Sequence, residues 1–246
     1  LIVDAHSHIG RSAVSGITIT IDKLIATMDK NGVDKTIVQP HPKPVGTIKE
    51  IHDLIYSQSI KYTGRIYGLA SINPHEGNVF YTKEAERCIK ELGFLGLKLH
   101  PSIHLSPINS KISDIVFYTA ARLNVPLMIH TGLGVPFTMP SLVIPRIKEY
   151  PNLKIIMAHT GEPNFAEEAL IVAREYNNIF LETSWCRPAL IKRCIDELGP
   201  ERVMVGSDLP ENQLPELMKY SSIDITESER ETALSKSALS VFEITQ

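Results

Sequence analysis

The chain predicts an α/β fold: a single (β/α)8 barrel of the TIM type with a short C-terminal helical tail, spanning residues 1–246 as one domain. Three observations lead there. Eight short aliphatic or β-branched runs recur along the chain, amphipathic stretches lie between them, and no low-complexity linker divides the sequence. The runs are Leu1 to Val3, Lys35 to Val38, Ile66 to Ala70, Gly96 to Leu99, Pro126 to Ile129, Lys154 to Met157, Ile179 to Leu181 and Val203 to Val205. Their starts are separated by about 24 to 34 residues, the room that a crossover helix and two short loops need in a parallel sheet.

The intervening segments read as helices. Between Asp22 and Asn31, Leu24, Ile25 and Met28 share one face, Lys23, Asp29 and Lys30 face elsewhere, and Asn31-Gly32 supplies a stop. Similar stretches cover Thr47 to Tyr62, Val79 to Leu92, Ser113 to Leu123, Ser141 to Tyr150, Asn164 to Tyr176 and Pro188 to Leu198, with Leu214 to Tyr220 and Ser228 to Phe242 as closing helices. An open doubly wound sheet would show the same alternation; eight units without a linker favour a closed barrel.

Composition narrows the function. The 25 basic and 28 acidic residues are scattered, without a Lys or Arg run that could track a phosphate backbone, so nucleic acid is not an expected partner. Apolar runs are short and broken by charge, and the N-terminus lacks a leader pattern, so no membrane partner and a cytoplasmic location are expected. Cys88, Cys186 and Cys194 are odd in number and lack CxxC spacing; they read as reduced thiols, buried or incidental.

Eight of the nine histidines (His6, His8, His41, His75, His100, His104, His130 and His159) fall at or just after a strand's C-terminal end, the rim where barrels assemble their sites. His52 alone lies within a helix, and its removal is expected to affect neither metal content nor stability. Asp4, His6 and His8 at i, i+2 and i+4 are expected to point to one side of a strand, inward. Met128-Ile129-His130-Thr131-Gly132 and Met157-Ala158-His159-Thr160-Gly161 repeat one design, and Val205-Gly206-Ser207-Asp208 ends the eighth strand in a carboxylate. Singly, each has a bland reading as a hydrogen-bonded histidine or a capping aspartate. Jointly they point to a metal site held by His6, His8, His130 and Asp208.

His6-Ser7-His8, Gly96-Leu97-Lys98-Leu99-His100-Pro101, His130, His159 and Gly206-Ser207-Asp208, in this order from residue 2 to residue 208, resemble the amidohydrolase superfamily, especially its amidohydrolase-2 branch. That branch includes hydrolases of amides, esters and lactones as well as non-oxidative decarboxylases and hydratases, so the resemblance does not fix the reaction. It implies that Asp208 both touches the metal and accepts the proton of a metal-activated water. His159 would donate to the substrate or join a second metal, and Lys98 resembles the strand-four lysine that some members carboxylate as a bridge between two ions.

The nitrogen and oxygen ligands suit Zn, with Mn, Fe or Co as substitutes, in one or two ions. Lys98, Arg11, His100 and Arg187 are candidate substrate-binding residues, although a solvated loop is the favoured reading of the two arginines. Asp4 reads as a partner that orients an imidazole, and Trp185 as either a pocket wall or packing at the barrel top. Short loops, apart from those near Gly10 to Ile21, Pro40 to Thr47 and Pro101 to Ile112, suit a small substrate. The leading expectation is hydrolysis of a C–O or C–N bond in a small, carboxylated molecule. A decarboxylase or hydratase on the same scaffold is the alternative, and an inert metal-binding protein the third reading; self-association is left open.

Overall fold

The computed structural model describes residues 1–245. A curled nine-stranded sheet runs in the order β2-β1-β3-β4-β5-β6-β7-β8-β9, parallel throughout except for the β1–β2 pair. Its strands are β1 (Val3–Arg11), β2 (Thr18–Ile19), β3 (Lys35–Pro40), β4 (Ile66–Ser71), β5 (Gly96–Leu99), β6 (Leu127–His130), β7 (Ile155–Ala158), β8 (Ile179–Glu182) and β9 (Val203–Met204). Each parallel step carries a helix: α1 (Ile21–Asn31), α2 (Ile48–Lys61), α3 (Asn78–Lys90), α4 (Asp114–Leu123), α5 (Ile144–Glu149), α6 (Ala166–Glu175) and α7 (Pro188–Leu198). After β9 come α8 (Gln213–Ser222), α9 (Glu227–Glu231) and α10 (Ser237–Val241). The helix caps follow the sequence: Thr20 and Thr47 accept backbone bonds at the starts of α1 and α2, and Gly32 ends α1 at φ 70°. Among the described residues no helix is long and apolar enough to cross a membrane.

Two cores separate the faces of the sheet. Val3, Ala5, Ile37, Leu69, Met128, Ile156 and Met204 pack together on the concave side, where Leu239, Val241 and Phe242 of the C-terminal segment cover them. Ile9, Val38, Leu97, Leu99, Ile129, Met157 and Leu181 pack against the helices. This alternation fixes which strand residues can reach the concave face.

The first strand differs from expectation in length and in phase. It continues through both histidines to Arg11, and its end pairs antiparallel with Thr18–Ile19 in what the sequence suggests is a loop. Its register against β3 runs Val3 to Lys35 and Asp4 to Thr36, then Ser7 to Val38 and His8 to Gln39, so β1 carries one extra residue between Asp4 and Ser7. Such a bulge resets the two-residue alternation. Val3 and Ala5 face inward before it, and His8 shares the phase of the inward side after it. Asp4 therefore does not point with the histidines: its carboxylate accepts from Ser207 N (2.9 Å), Ser207 Oγ (2.6 Å) and Gln213 Nε2 (3.1 Å). Ala5 N donates to Val205 O at 2.9 Å, and Ser7 forms a parallel bridge with Asp208, linking β1 to the segment after β9.

His52 is not the neutral position expected from its place in a helix. It is buried under α3, with Nδ1 2.7 Å from Glu84 Oε1, while its Nε2 accepts Ser71 N–H at 3.3 Å. Burial keeps the ring neutral. Burial by itself would raise the Glu84 carboxyl, yet hydrogen bonds from His52 and Arg87 outweigh it and hold it at about 2. His52→Ala is therefore expected to lower stability by about 3 kcal/mol in urea unfolding, because it strands the Ser71 N–H and removes a charge-assisted bond. A carboxyl held below the 4.5 of a free Glu stabilises the fold above that pH and loses its contribution as pH falls toward about 2. The acid limb of the stability curve across that window should flatten in Glu84→Gln.

Candidate metal centre

The C-terminal ends of the strands gather His6 and His8 from β1, Lys98 from β5, His130 from β6, His159 just after β7 and Asp208 after β9. His6 Nδ1 lies 2.7 Å from Glu182 Oε2, and His8 Nδ1 lies 3.0 Å from the Pro40 carbonyl. A carboxylate and a carbonyl can only accept, so each Nδ1 carries the proton and each Nε2 presents a lone pair. Both Nε2 atoms stand 3.3 Å from the same oxygen, Asp208 Oδ1. Burial and the neighbouring Lys98 push the His6 pKa well below its ordinary value, so this ring stays neutral. Burial alone would raise the Asp208 carboxyl, but the surrounding imidazoles of His8, His6 and His159 hold it well below the usual carboxylate range. Three electron-rich atoms thus converge. Lys98 Nζ, 3.3 Å from His6 Nε2, and the Gln39 amide, 3.3 Å from His8 Nε2, supply donors from the sides.

Deeper in the mouth, His130 stacks on His100 with centroids 3.9 Å apart and meets His159 edge-on at 4.7 Å. His130 Nε2 is buried without a hydrogen-bond partner. A buried imidazole nitrogen left unmatched costs about 1–3 kcal/mol, so it marks a place where a ligand is due. His159 Nδ1 lies 2.8 Å from Ser184 Oγ, which in turn donates to Glu182 Oε2 at 3.0 Å. This order makes His159 Nδ1 the donor and leaves Nε2 for a partner that arrives with substrate. Burial lowers the His159 pKa to about 4. His159 (φ 65°), Thr160 (φ 48°), Trp185 (φ 66°) and Asp208 (φ 62°) all hold left-handed backbone, a conformation that non-glycine residues adopt at a cost and that concentrates at functional sites.

Glu182 is the residue that sequence reasoning missed. It is fully buried and accepts from His6 Nδ1, Ser184 N (2.6 Å), Ser184 Oγ and His159 N (3.3 Å). It takes the orienting role expected of Asp4, whose bonds go to Ser207, Gln213 and the His6 backbone rather than to an imidazole. A signal was available: a Glu follows the Ile179–Leu181 run at the strand end, where the other strands carry His130 and His159. Gly206 leaves room for it, since a Cβ there would collide with Glu182 Oε1 and sit 2.7 Å from His6 Cβ.

The candidate substrate residues separate. Lys98 is buried beside His6, and burial lowers its pKa to about 8. His100 is buried, and its Nδ1 serves Ser102 Oγ and Ile103 N within its own loop. Arg187 does not enter the site: it is largely exposed and donates to Glu162 Oε1 at 3.0 Å. Arg11 is exposed at the end of β1, where its carbonyl accepts from Val45. His41 stacks on His8 at 4.9 Å, and His104 Nε2 lies 2.9 Å from Pro42 O. The indole N–H of Trp185 donates to Asp208 Oδ2 at 2.9 Å. At the mouth, both groups of three donor atoms that lie within 4.8 Å of one another, His6–His8–Asp208 and His6–His159–Glu182, share His6.

Comparison with known proteins agrees with this fold. A curated gamma-resorcylate decarboxylase from Polaromonas sp. is 22% identical over 271 aligned positions, covering 85% of this chain and 83% of that protein. The fold matches 5-carboxyvanillate decarboxylase from Novosphingobium aromaticivorans, solved with manganese and 4-hydroxy-3-methoxy-5-nitrobenzoic acid (TM-score 0.80, 17% identity, 99% of this chain and 96% of that one). It also matches a dihydroxybenzoic acid decarboxylase from Polaromonas sp., solved with manganese and the inhibitor 2-nitroresorcinol (TM-score 0.78, 17% identity, 100% and 97% covered). The model of the amidohydrolase family matches residues 22–244, and the chain belongs to that family.

Proposed function

We propose that this protein is a metal-dependent, non-oxidative decarboxylase of a small hydroxylated aromatic acid. The observation that carries the metal is the convergence of His6 Nε2 and His8 Nε2 on Asp208 Oδ1 at 3.3 Å each, with the unpartnered His130 Nε2 nearby. A cation placed among these atoms would offset the repulsion between the carboxylate oxygen and the lone pairs that face it. His6, His8, Asp208 and His130 are the residues that would hold one divalent cation, and manganese, present in both matched structures, replaces zinc as the first choice. Bound there, the cation supplies charge that polarises a substrate oxygen.

The relatives favour decarboxylation over the hydrolysis that the sequence puts first. In that reaction the bond from ring carbon to carboxylate breaks, CO2 leaves, and a proton takes its place on the carbon. Asp208 and His159 are the two groups assigned to hold or move that proton. His159 is oriented through Ser184 and Glu182, and Glu182 also fixes the tautomer of His6. Lys98, buried within reach of the same centre, is assigned to the substrate as a cation rather than to a second metal. The same reading closes the sheet into an eightfold barrel, supported by the Ala5–Val205 bond and the Ser7–Asp208 bridge.

The decisive assay incubates manganese-loaded protein with 2,6-dihydroxybenzoate and 5-carboxyvanillate and measures CO2 and the phenol, which should appear in equal amounts. Failure to consume any hydroxybenzoate, together with hydrolysis of an ester or lactone, would restore the hydrolase. Asp208→Asn should keep much of its metal yet lose at least about a hundredfold in turnover, the effect of removing a positioned acid–base group. Near-native turnover in the metal-replete variant would remove Asp208 from the chemistry. His6→Ala and His8→Ala should lose manganese on dialysis against a weak chelator. Glu182→Gln should bind it about 10- to 100-fold more weakly, as loss of an outer partner does. Native metal content in all three variants would refute the site.

A further inference from the structure

We propose that Trp185 is a positioning and specificity residue: its indole N–H holds Asp208 so that only Oδ1 faces the histidines, and its ring forms the face against which a flat substrate lies. This rests on the reading above and adds a residue to it. Three observations carry the inference. The two Asp208 oxygens are divided, Oδ1 toward His6 and His8 and Oδ2 toward Trp185 Nε1 at 2.9 Å. The Trp185 side chain is half exposed, 51% in relative terms, so burial in the core does not explain a tryptophan here. Its backbone is held at φ 66°, which a bulky side chain avoids, and its N–H is tied at 2.9 Å to Glu216 Oε1, itself braced by Lys219.

A loop that keeps an exposed indole in a strained conformation, anchored from below and bonded to a carboxylate at the mouth, is built to present that ring. Indole offers one polar edge and two π faces, so a single residue can restrain a carboxylate through its edge and stack an aromatic acid on its face. Leu133 and Phe137, exposed in the loop after β6, add apolar surface at the strand ends. The substrate class that fits is a planar ring carrying its acidic group on the edge, where that group can turn toward His159 and Lys98.

The test exploits Trp185 being the single tryptophan of the chain. Its emission in the native protein should change saturably on adding Mn2+ alone, and again on adding 2,6-dihydroxybenzoate to the loaded protein. Trp185→Phe keeps a ring and loses the N–H; it should bind Mn2+ about tenfold more weakly by calorimetry and lower kcat about tenfold with KM little changed. Trp185→Leu loses both and should raise KM by about tenfold as well. Native Mn2+ affinity in both variants, with native emission indifferent to Mn2+, overturns the inference whether or not a hydroxybenzoate is consumed. If the emission and metal results come out as stated but no hydroxybenzoate reacts, the decarboxylase reading fails while the hold on Asp208 stands.

Discussion

The single extra residue in β1 is the constraint on which the site depends. Strand side chains alternate, and without the bulge the phase set by Val3 and Ala5 would send His6 and His8 outward to the helices. Asp4 holds the irregularity: its Oδ1 accepts from His6 N and Ser207 N, and its Oδ2 accepts from Ser207 Oγ and Gln213. The same junction carries Ser207 N and Asp208 N onto the His6 carbonyl, so the ligand pair from one end of the chain and the carboxylate from the other are set by one cluster of bonds. Burial raises Asp4 to about 6 despite these donors. The fold therefore keeps an ionisable group in its interior at an electrostatic cost to pin the bulge.

Around that junction the mouth is organised by shared partners. Glu182 binds His6 directly and His159 through Ser184, so the group that fixes the tautomer of His6 also orients His159. Because His6, His130 and His159 are pushed toward their neutral forms by burial, these rings arrive as lone-pair donors rather than as cations. Lys98 is the exception, a buried amine whose proton is loosened and whose position beside His6 places it against any incoming charge. The donor atoms of His6, His8 and Asp208 lie close enough together that a cation could be held among them.

Fold and metal together still leave several reactions open, because one scaffold with activated oxygen ligands can add water to a carbonyl or release CO2 from a ring. Discrimination lies in what the rim presents to the substrate. Arg187, whose guanidinium is occupied by Glu162, and Arg11, out on the end of β1, do not supply a carboxylate clamp to the concave face. Trp185 and Lys98 instead bond to Asp208 and His6, one bringing a flat apolar ring and the other an amine to that end of the sheet.

The sequence by itself determined the α/β architecture, the eight strand runs with their helices, and the gathering of His6, His8, Lys98, His130, His159 and Asp208 at one end. Each of these follows from local periodicity or from position at a strand end, which neighbouring residues encode. Other features belong to tertiary structure alone. The bulge in β1 depends on a carboxylate meeting Ser207, 203 positions away along the chain. Glu182 stands at a strand end in the sequence, but its partners His6 and Ser184 were set only once β8 lay between β7 and β9, and His52 ceased to be neutral once α3 brought Glu84 and Cys88 against it. Local pattern tells which face a residue seeks, whereas the partner that satisfies a buried polar group is chosen by packing across the chain.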